Sequence, residues 1–171
     1  MDSAQRRDEI RALLRLSPEE VMDRAGRHLV VCDSLDALHR RFAEDLADEI
    51  RRHNRAGVPT RLILPVGPTG QYPYLAEIVA AEALSLERCW LFFMDEYADE
   101  SGHALPPSHP LSFRGEARRL LLDRLPEAYG LRPERIVFPS QENIADLPAL
   151  IDRVGGIDTC YGGIGIHGHL A

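Results

Sequence analysis

Cysteine is scarce in this sequence, and the few cysteines form no recognisable framework. Cys32, Cys89 and Cys160 are an odd number without a CxxC pair, so a disulfide scaffold is not indicated. Each cysteine lies in an apolar, strand-like stretch. We therefore predict buried, reduced thiols rather than nucleophiles, as expected for a protein of the reducing cytoplasm.

Long apolar runs and an excess of basic charge are also lacking. No run approaches the roughly 20 residues that a membrane-spanning helix needs, and residues 1–8 contain no hydrophobic signal region. The 20 basic and 27 acidic residues give a net charge of -7, which argues against a nucleic-acid-binding surface. This net charge is compatible with a small anionic substrate, because a few local donors can hold a phosphate on an acidic protein.

Short apolar segments alternate with amphipathic ones along the 171 residues. This alternation predicts an α/β fold with a mainly parallel sheet and helices on both faces. Residues 1–28 are predicted to be a helical N-terminal extension, with a capping box at Ser17 and Glu20, and residues 29–171 the α/β domain. The predicted strands cover residues 28–32, 61–64, 89–94, 136–138 and 157–161.

Polar and glycine-rich segments follow three of the predicted strands. They are Thr69-Gly70, Asp95-Glu96-Tyr97 and His167-Gly168-His169. Ligands of open parallel sheets bind outside the carboxyl ends of the strands. The sequence therefore predicts that these three segments meet in one functional site.

Each segment has a functional and a structural interpretation. Thr69-Gly70 could present backbone N–H groups to an anion, or it could be a plain strand–helix turn. Asp95-Glu96 crowds two carboxylates beside an apolar strand, which would raise the pKa of at least one and suit a general base. The alternative for this pair is a helix cap or a salt-bridged turn.

The paired histidines leave three interpretations open. His167 and His169 could relay protons, ligate a metal or be ordinary loop residues. A metal site would need further ligands, for which His103 and His109 are available. No metal-type spacing links the four, so we predict no metal.

Four motifs together resemble the glucosamine-6-phosphate deaminase/isomerase family, which shares its fold with 6-phosphogluconolactonases. Their order and positions at strand ends agree with the family from about Leu29 to Ala171. The second and third motifs favour the deaminase branch over the lactonase branch. The four are Pro68-Thr69-Gly70, Met94-Asp95-Glu96-Tyr97, His109-Pro110-Leu111-Ser112-Phe113 and the segment from Gly162 to His169.

The resemblance implies a modified doubly wound sheet and a role for each matching residue. Asp95 would shuttle a proton between C1 and C2 of the opened sugar, and His169 would assist opening of the pyranose ring. His167, the third predicted catalytic residue, stands where the family has an aspartate. Substrate and phosphate would be bound by Thr69, Gly70, Gln71, Glu96, Tyr97, Gly163 and Gly165.

Two further departures from the family pattern accompany the change at His167. The family's Gly-Gly-Thr is Gly70-Gln71-Tyr72 here, and the sequence ends before the family's Phe-Asn-Glu-Pro segment. We therefore expect the 171 residues to be an N-terminal portion whose α/β domain is truncated at the C-terminus.

The resemblance implies an aldose–ketose isomerase or deaminase that acts on glucosamine 6-phosphate or a related hexose phosphate. No cofactor, nucleic acid or membrane is expected as a partner, and a homo-oligomer stays open. Two alternatives remain at this point. One is a 6-phosphogluconolactonase that uses His169 as a base, and the other is a non-catalytic sugar-phosphate sensor.

Overall fold

The structure is a computed structural model that describes residues 2–165 and residue 168. The chain divides into two compact units, Met1–Ser34 and Leu35–Ala171. The predicted catalytic residues His167 and His169 lie outside the described residues, so their roles stay predictions.

The first unit contains helices α1 (Ser3–Leu13) and α2 (Pro18–Ala25). Asp2 and Ser17 begin them with reciprocal side-chain and backbone hydrogen bonds, so the capping box expected at Ser17 and Glu20 is confirmed. Neither helix buries a residue within the unit.

The prediction of a buried strand over residues 28–32 is wrong. A single 3-10 turn, Gly26–His28, leads into irregular backbone, and Leu29, Val30 and Val31 are exposed. Apolar, β-branched residues favour a strand only where another strand offers hydrogen bonds and a packing surface. Within the described part of the chain, no strand pairs with this segment. The boundary between the units correspondingly follows Ser34 rather than residue 28.

The second unit is an α/β structure built on four parallel strands in the order β3-β2-β1-β4. Its predicted fold class is thereby confirmed, and the strands and helices follow the expected order. The strands are β1 (Thr60–Leu64), β2 (Cys89–Phe93), β3 (Ile136–Val137) and β4 (Thr159–Cys160). The helices are α3 (Leu35–Ala56), α4 (Gln71–Glu82), α5 (Phe113–Leu120) and α6 (Leu147–Val154).

The core forms where α3 and α4 pack against each other and α3 packs against β1. Leu46 and Ile50 of α3, Leu62 of β1 and Val79 of α4 are almost completely buried in it. Burial of side chains of this size contributes about 1.5–3 kcal/mol each, which makes this cluster the main anchor of the sheet.

Two expectations about helices and cysteines need correction. The helix predicted from Ser112 to Leu125 ends at Leu120, and a 3-10 turn covers Leu122–Arg124. Of the cysteines, Cys89 is buried, but Cys160 is exposed and Cys32 only half-buried. Cys160 is exposed because β4 is an edge strand of the described sheet, paired on the side of β1 alone.

Two polar links hold the edge strand β4 in place. The Glu49 carboxylate of α3, only 4% exposed, accepts hydrogen bonds from the Thr159 hydroxyl at 2.7 Å and the Tyr161 hydroxyl at 2.8 Å. Arg61 of β1 donates to Asp158 at 3.0 Å through both Nε and Nη2. Burial alone would raise the pKa of Asp158, but the bonds from Arg61 outweigh it and lower that pKa.

Within the described residues, no helix combines the length and the apolarity that a membrane span requires.

Replacement of Glu49 tests the link between α3 and β4. Glu49→Ala removes the acceptor of two hydroxyl groups, so we expect the free energy of unfolding to fall by about 2–3 kcal/mol. Urea denaturation followed by the fluorescence of Trp90 measures this loss.

Arg52→Ala is the control, because the Arg52 guanidinium lies 3.9 Å from Glu49 on an exposed side chain. Its effect should stay below about 0.5 kcal/mol. Equal losses in the two variants would contradict this role of Glu49.

Candidate active site

Three loops meet at the carboxyl edge of the sheet and line a cavity of about 270 Å³. Gly67 follows β1, Asp95 follows β2, and Gly163 and Gly165 follow β4. The strands are parallel, so their carboxyl ends lie at one edge and bring these loops together. Tyr97 and Phe113 also line the cavity. The cavity is slightly smaller than typical sites for drug-sized ligands, which suits a small metabolite.

The approach of two loops requires glycine at position 163. A Cβ atom placed there would lie 2.6 Å from the Gly67 carbonyl oxygen and 3.2 Å from Pro68 Cδ. Any side chain would therefore push the loop after β4 away from the loop after β1. The absence of a side chain at Gly163 therefore lets the two loops approach each other and line the cavity.

Asp95 is the acidic residue that lines this cavity in the described part of the chain. Asp95 is exposed to solvent at the cavity, yet partial desolvation, and secondly the negative charge of Glu96, raise its pKa above the usual value. The pKa direction predicted for this pair is thereby confirmed for Asp95. A carboxylate with a raised pKa is a stronger base than an ordinary one, which suits the abstraction of a proton from carbon.

Glu96 lies beside Asp95 but serves a different purpose. Its carboxylate accepts hydrogen bonds from the backbone N–H groups of Phe113 and Arg114, each at 2.8 Å, and from the Ser112 hydroxyl at 3.0 Å. The two interpretations of the acidic pair therefore apply to different residues: Glu96 caps a helix, and Asp95 faces the cavity. The predicted contact of Glu96 with substrate stays a prediction.

Tyr97 packs on the wall of the cavity formed by α5. Its ring lies 4.8 Å from the ring of Phe113, centroid to centroid, with the planes tilted by 51°. About half of the Tyr97 side chain is exposed. A half-exposed aromatic ring with a hydroxyl group suits contact with a sugar ring, and the binding role of Tyr97 stays a prediction.

The predicted phosphate loop lies at the start of α4, outside the lining of this cavity. Gly70 is the N-cap residue, and no described side chain caps the helix. In the first turn, the Tyr72 N–H group donates to the Thr69 carbonyl oxygen at 3.1 Å, and Pro73 has no N–H group. Gln71 is completely buried and donates from Nε2 to the Pro68 carbonyl at 2.8 Å. Because the whole residue is buried, neither its side chain nor its backbone is exposed to a phosphate, and its predicted contact stays a prediction. The roles of Thr69 and Gly70 stay predictions.

One neighbour of this loop was missed by sequence reasoning. The ring of His39, on α3, occupies the space that a Cβ atom of Gly70 would fill. The sequence places His39 on a long amphipathic helix. No spacing rule relates it to a turn some thirty residues later, so only the packing of α3 on α4 reveals the contact.

The remaining histidines do not assemble a metal site among the described residues. His109 Nδ1 accepts a hydrogen bond from the Leu111 N–H at 3.1 Å, and His103 lies 3.7 Å from Asp99. In that part of the chain, no three His, Cys, Asp or Glu side chains come close enough to hold a metal ion.

A second and larger cavity, of about 440 Å³, lies on the other side of Glu96. It is lined by Arg114, Phe138 and the loop from Ser140 to Asn143, and it excludes Asp95. We assign the candidate active site to the smaller cavity, because that cavity holds the carboxylate with the raised pKa.

Comparison with known proteins agrees with this geometry. No family model matches the chain. The chain is 28% identical over 152 residues to the glucosamine-6-phosphate deaminase of Parabacteroides distasonis, a match that covers 84% of the chain and 53% of that protein. The chain thus spans about half the length of the curated relatives it matches.

Two solved structures are similar in fold. A monomeric glucosamine-6-phosphate deaminase, described as a missing link of the NagB superfamily, gives a TM-score of 0.64 at 26% identity, over 81% of this chain and 56% of that one. A 6-phosphogluconolactonase from Thermotoga maritima gives a TM-score of 0.58 at 17% identity, over 78% and 58%. The second likeness concerns the fold alone.

The strand-end motifs, the parallel sheet and these relatives lead to one conclusion: the chain is similar to about half the length of proteins of the glucosamine-6-phosphate deaminase/isomerase family.

Proposed function

We propose that the protein is a sugar-phosphate isomerase or deaminase in which Asp95 moves the proton between carbons. The observation that carries the proposal is the position of Asp95 at the cavity, with its pKa raised by partial desolvation and by Glu96. Glucosamine 6-phosphate is the proposed substrate, because the relatives named above are deaminases of that sugar.

The proposed reaction needs proton transfers and water. Asp95 takes the proton from C2 of the opened amino sugar, and the electron pair of that C–H bond forms a C1=C2 double bond. The π pair of the C1 carbonyl moves to O1, which takes a proton from solvent to give an enolamine. The nitrogen lone pair then forms a C2=N bond while the C1=C2 pair takes the proton back from Asp95 at C1, and loss of a proton from nitrogen to solvent leaves an imine at C2. Water adds to this imine, and ammonia departs to leave the ketose phosphate. The chain contains no lysine, so it cannot supply an amine for a Schiff base with the sugar.

The other predicted site residues take supporting roles in this proposal. His169 assists ring opening, and His167 acts beside it in the place of the family's aspartate. Thr69 and Gly70 hold the phosphate at the start of α4, beside the buried Gln71. Tyr97, Gly163 and Gly165 line the cavity in which the sugar lies.

Asp95→Asn is the direct test of the base. We expect kcat for ammonia release from glucosamine 6-phosphate to fall by about 10²–10⁴-fold, because the amide accepts no proton. KM should change little, since the shape of the side chain is kept. The assay uses the protein that carries this chain, with Glu100→Gln, an exposed acid of the same loop, as the matched control.

Three outcomes would contradict this assignment. Turnover by Asp95→Asn at the rate of the unchanged protein would remove Asp95 as the base. Faster hydrolysis of 6-phosphogluconolactone than deamination would favour a lactonase. Stabilisation by sugar phosphate without any ammonia or ketose would favour a sensor.

The pH dependence of catalysis provides a second test. Asp95 must be ionised to act as a base, so kcat/KM should fall as the pH drops through its pKa. That pKa is raised, and the acid limb should therefore lie above the ordinary value of about 3.9 for aspartate. Asp95→Asn should lack this limb, whereas Glu100→Gln should retain it. An acid limb at or below the ordinary value would contradict the account.

A further inference from the structure

We propose that Glu96 is a positioning residue, which fixes Asp95 at the cavity by tying the loop after β2 to the first turn of α5, rather than a residue that binds substrate. The inference rests on the proposed function only in taking Asp95 as the base. It gives Glu96, the second carboxylate of the Asp95-Glu96 pair, a positioning role.

The hydrogen bonds of Glu96 leave it little capacity for a substrate. Oε1 accepts from the N–H groups of Tyr97 at 2.9 Å and Phe113 at 2.8 Å. Oε2 accepts from the Ser112 hydroxyl at 3.0 Å and the Arg114 N–H at 2.8 Å. A carboxylate offers about four acceptor sites, so donors within the protein occupy all of them. A sugar hydroxyl would have to displace one of these bonds.

Three of the partners of Glu96 are donors at the first turn of α5. Ser112 is the N-cap of α5, and its hydroxyl accepts from the Gly115 N–H at 3.1 Å while it donates to Glu96. The N–H groups of Phe113 and Arg114 belong to the first turn, which has no earlier carbonyl to bind them. A negative charge at this end of a helix is also favoured by the helix dipole. Glu96 and Ser112 thus form one joint cap.

This cap determines the position of Asp95 through the backbone. Asp95 directly precedes Glu96, in a segment that follows β2 without helix or strand structure of its own. Phe113, whose N–H group Glu96 holds, lines the same cavity as Asp95, and its ring packs against Tyr97. One carboxylate therefore fixes the base, the tyrosine and one wall of the cavity relative to one another.

The charge of Glu96 has a second consequence. It is the second cause, after partial desolvation, of the raised pKa of Asp95. Arg114 is the positive charge in the first turn of α5, and its guanidinium lies over the ring of Phe138, 5.8 Å from the centroid. The other titratable groups of the loop between β2 and α5 are Tyr97, Asp99, Glu100, His103 and His109. Removal of the Glu96 charge should therefore lower the pKa of Asp95.

The test is a ¹³C NMR titration of the Asp95 carboxyl in the intact chain, which needs no activity. In Glu96→Gln we expect the Asp95 midpoint to move to lower pH than in the unchanged chain. Ser112→Ala is the matched control, because it removes a donor of the same cap and keeps the Glu96 charge. Its Asp95 midpoint should not move to lower pH.

Kinetics then separate positioning from binding. If Glu96 places Asp95, Glu96→Gln should lower kcat by about 10²-fold and change KM by less than about 2-fold. A higher KM at unchanged kcat would overturn the proposal and make Glu96 a substrate-binding residue. A folded Glu96→Gln variant with an unchanged Asp95 midpoint would also overturn it. If the unchanged protein shows no activity but Glu96→Gln still lowers the Asp95 midpoint, the role of Glu96 is supported and the proposed function is contradicted.

A measurement on the unchanged chain covers the case in which Glu96→Gln does not fold. The amide hydrogens of Tyr97, Phe113 and Arg114 should exchange slowly with solvent, because each donates to Glu96. Exchange of all three at the rate of an unstructured peptide would overturn the proposal.

Discussion

The parallel pairing of β1 with its two neighbours is the constraint on which the rest of the structure depends. β1 pairs along its whole length with β2, from Thr60 opposite Cys89 to Leu64 opposite Phe93, and on its other side with β4. This register places Gly67, Asp95 and Gly163 at the same edge, although nearly a hundred residues separate the first from the last. A shift of one residue would turn the apolar side chains of a strand to the opposite face, so the packed core holds the register in place.

The candidate site depends on the different environments of two adjacent carboxylates, Glu96 and Asp95. Glu96 receives four hydrogen bonds and the dipole of α5, whereas Asp95 is partly desolvated beside it. The charge of Glu96 disfavours ionisation of Asp95. A pair that looks redundant in the sequence thus separates into a residue that holds the loop and a residue whose pKa suits proton transfer.

Much of this arrangement could be predicted from the sequence, and the exceptions have physical reasons. The alternation of apolar strands and amphipathic helices predicted the parallel α/β fold, the strand ends located Asp95, and the family resemblance indicated Gly163. The segment from Leu29 to Cys32 has the composition of a strand, but composition does not reveal whether a partner strand lies beside it. Likewise, the bonds of Glu96 to Phe113 and the contact of His39 with Gly70 arise from tertiary packing between distant segments.

The central claim is that Asp95 transfers the proton of C2, and glucosamine 6-phosphate labelled with deuterium at C2 tests it most directly. The protein that carries this chain should remove the deuterium from C2 and deliver it to C1 or to the solvent, as followed by NMR. Asp95→Asn should leave the deuterium on C2. Consumption of the substrate with deuterium retained at C2, or equal loss of deuterium with Asp95→Asn, would contradict the account.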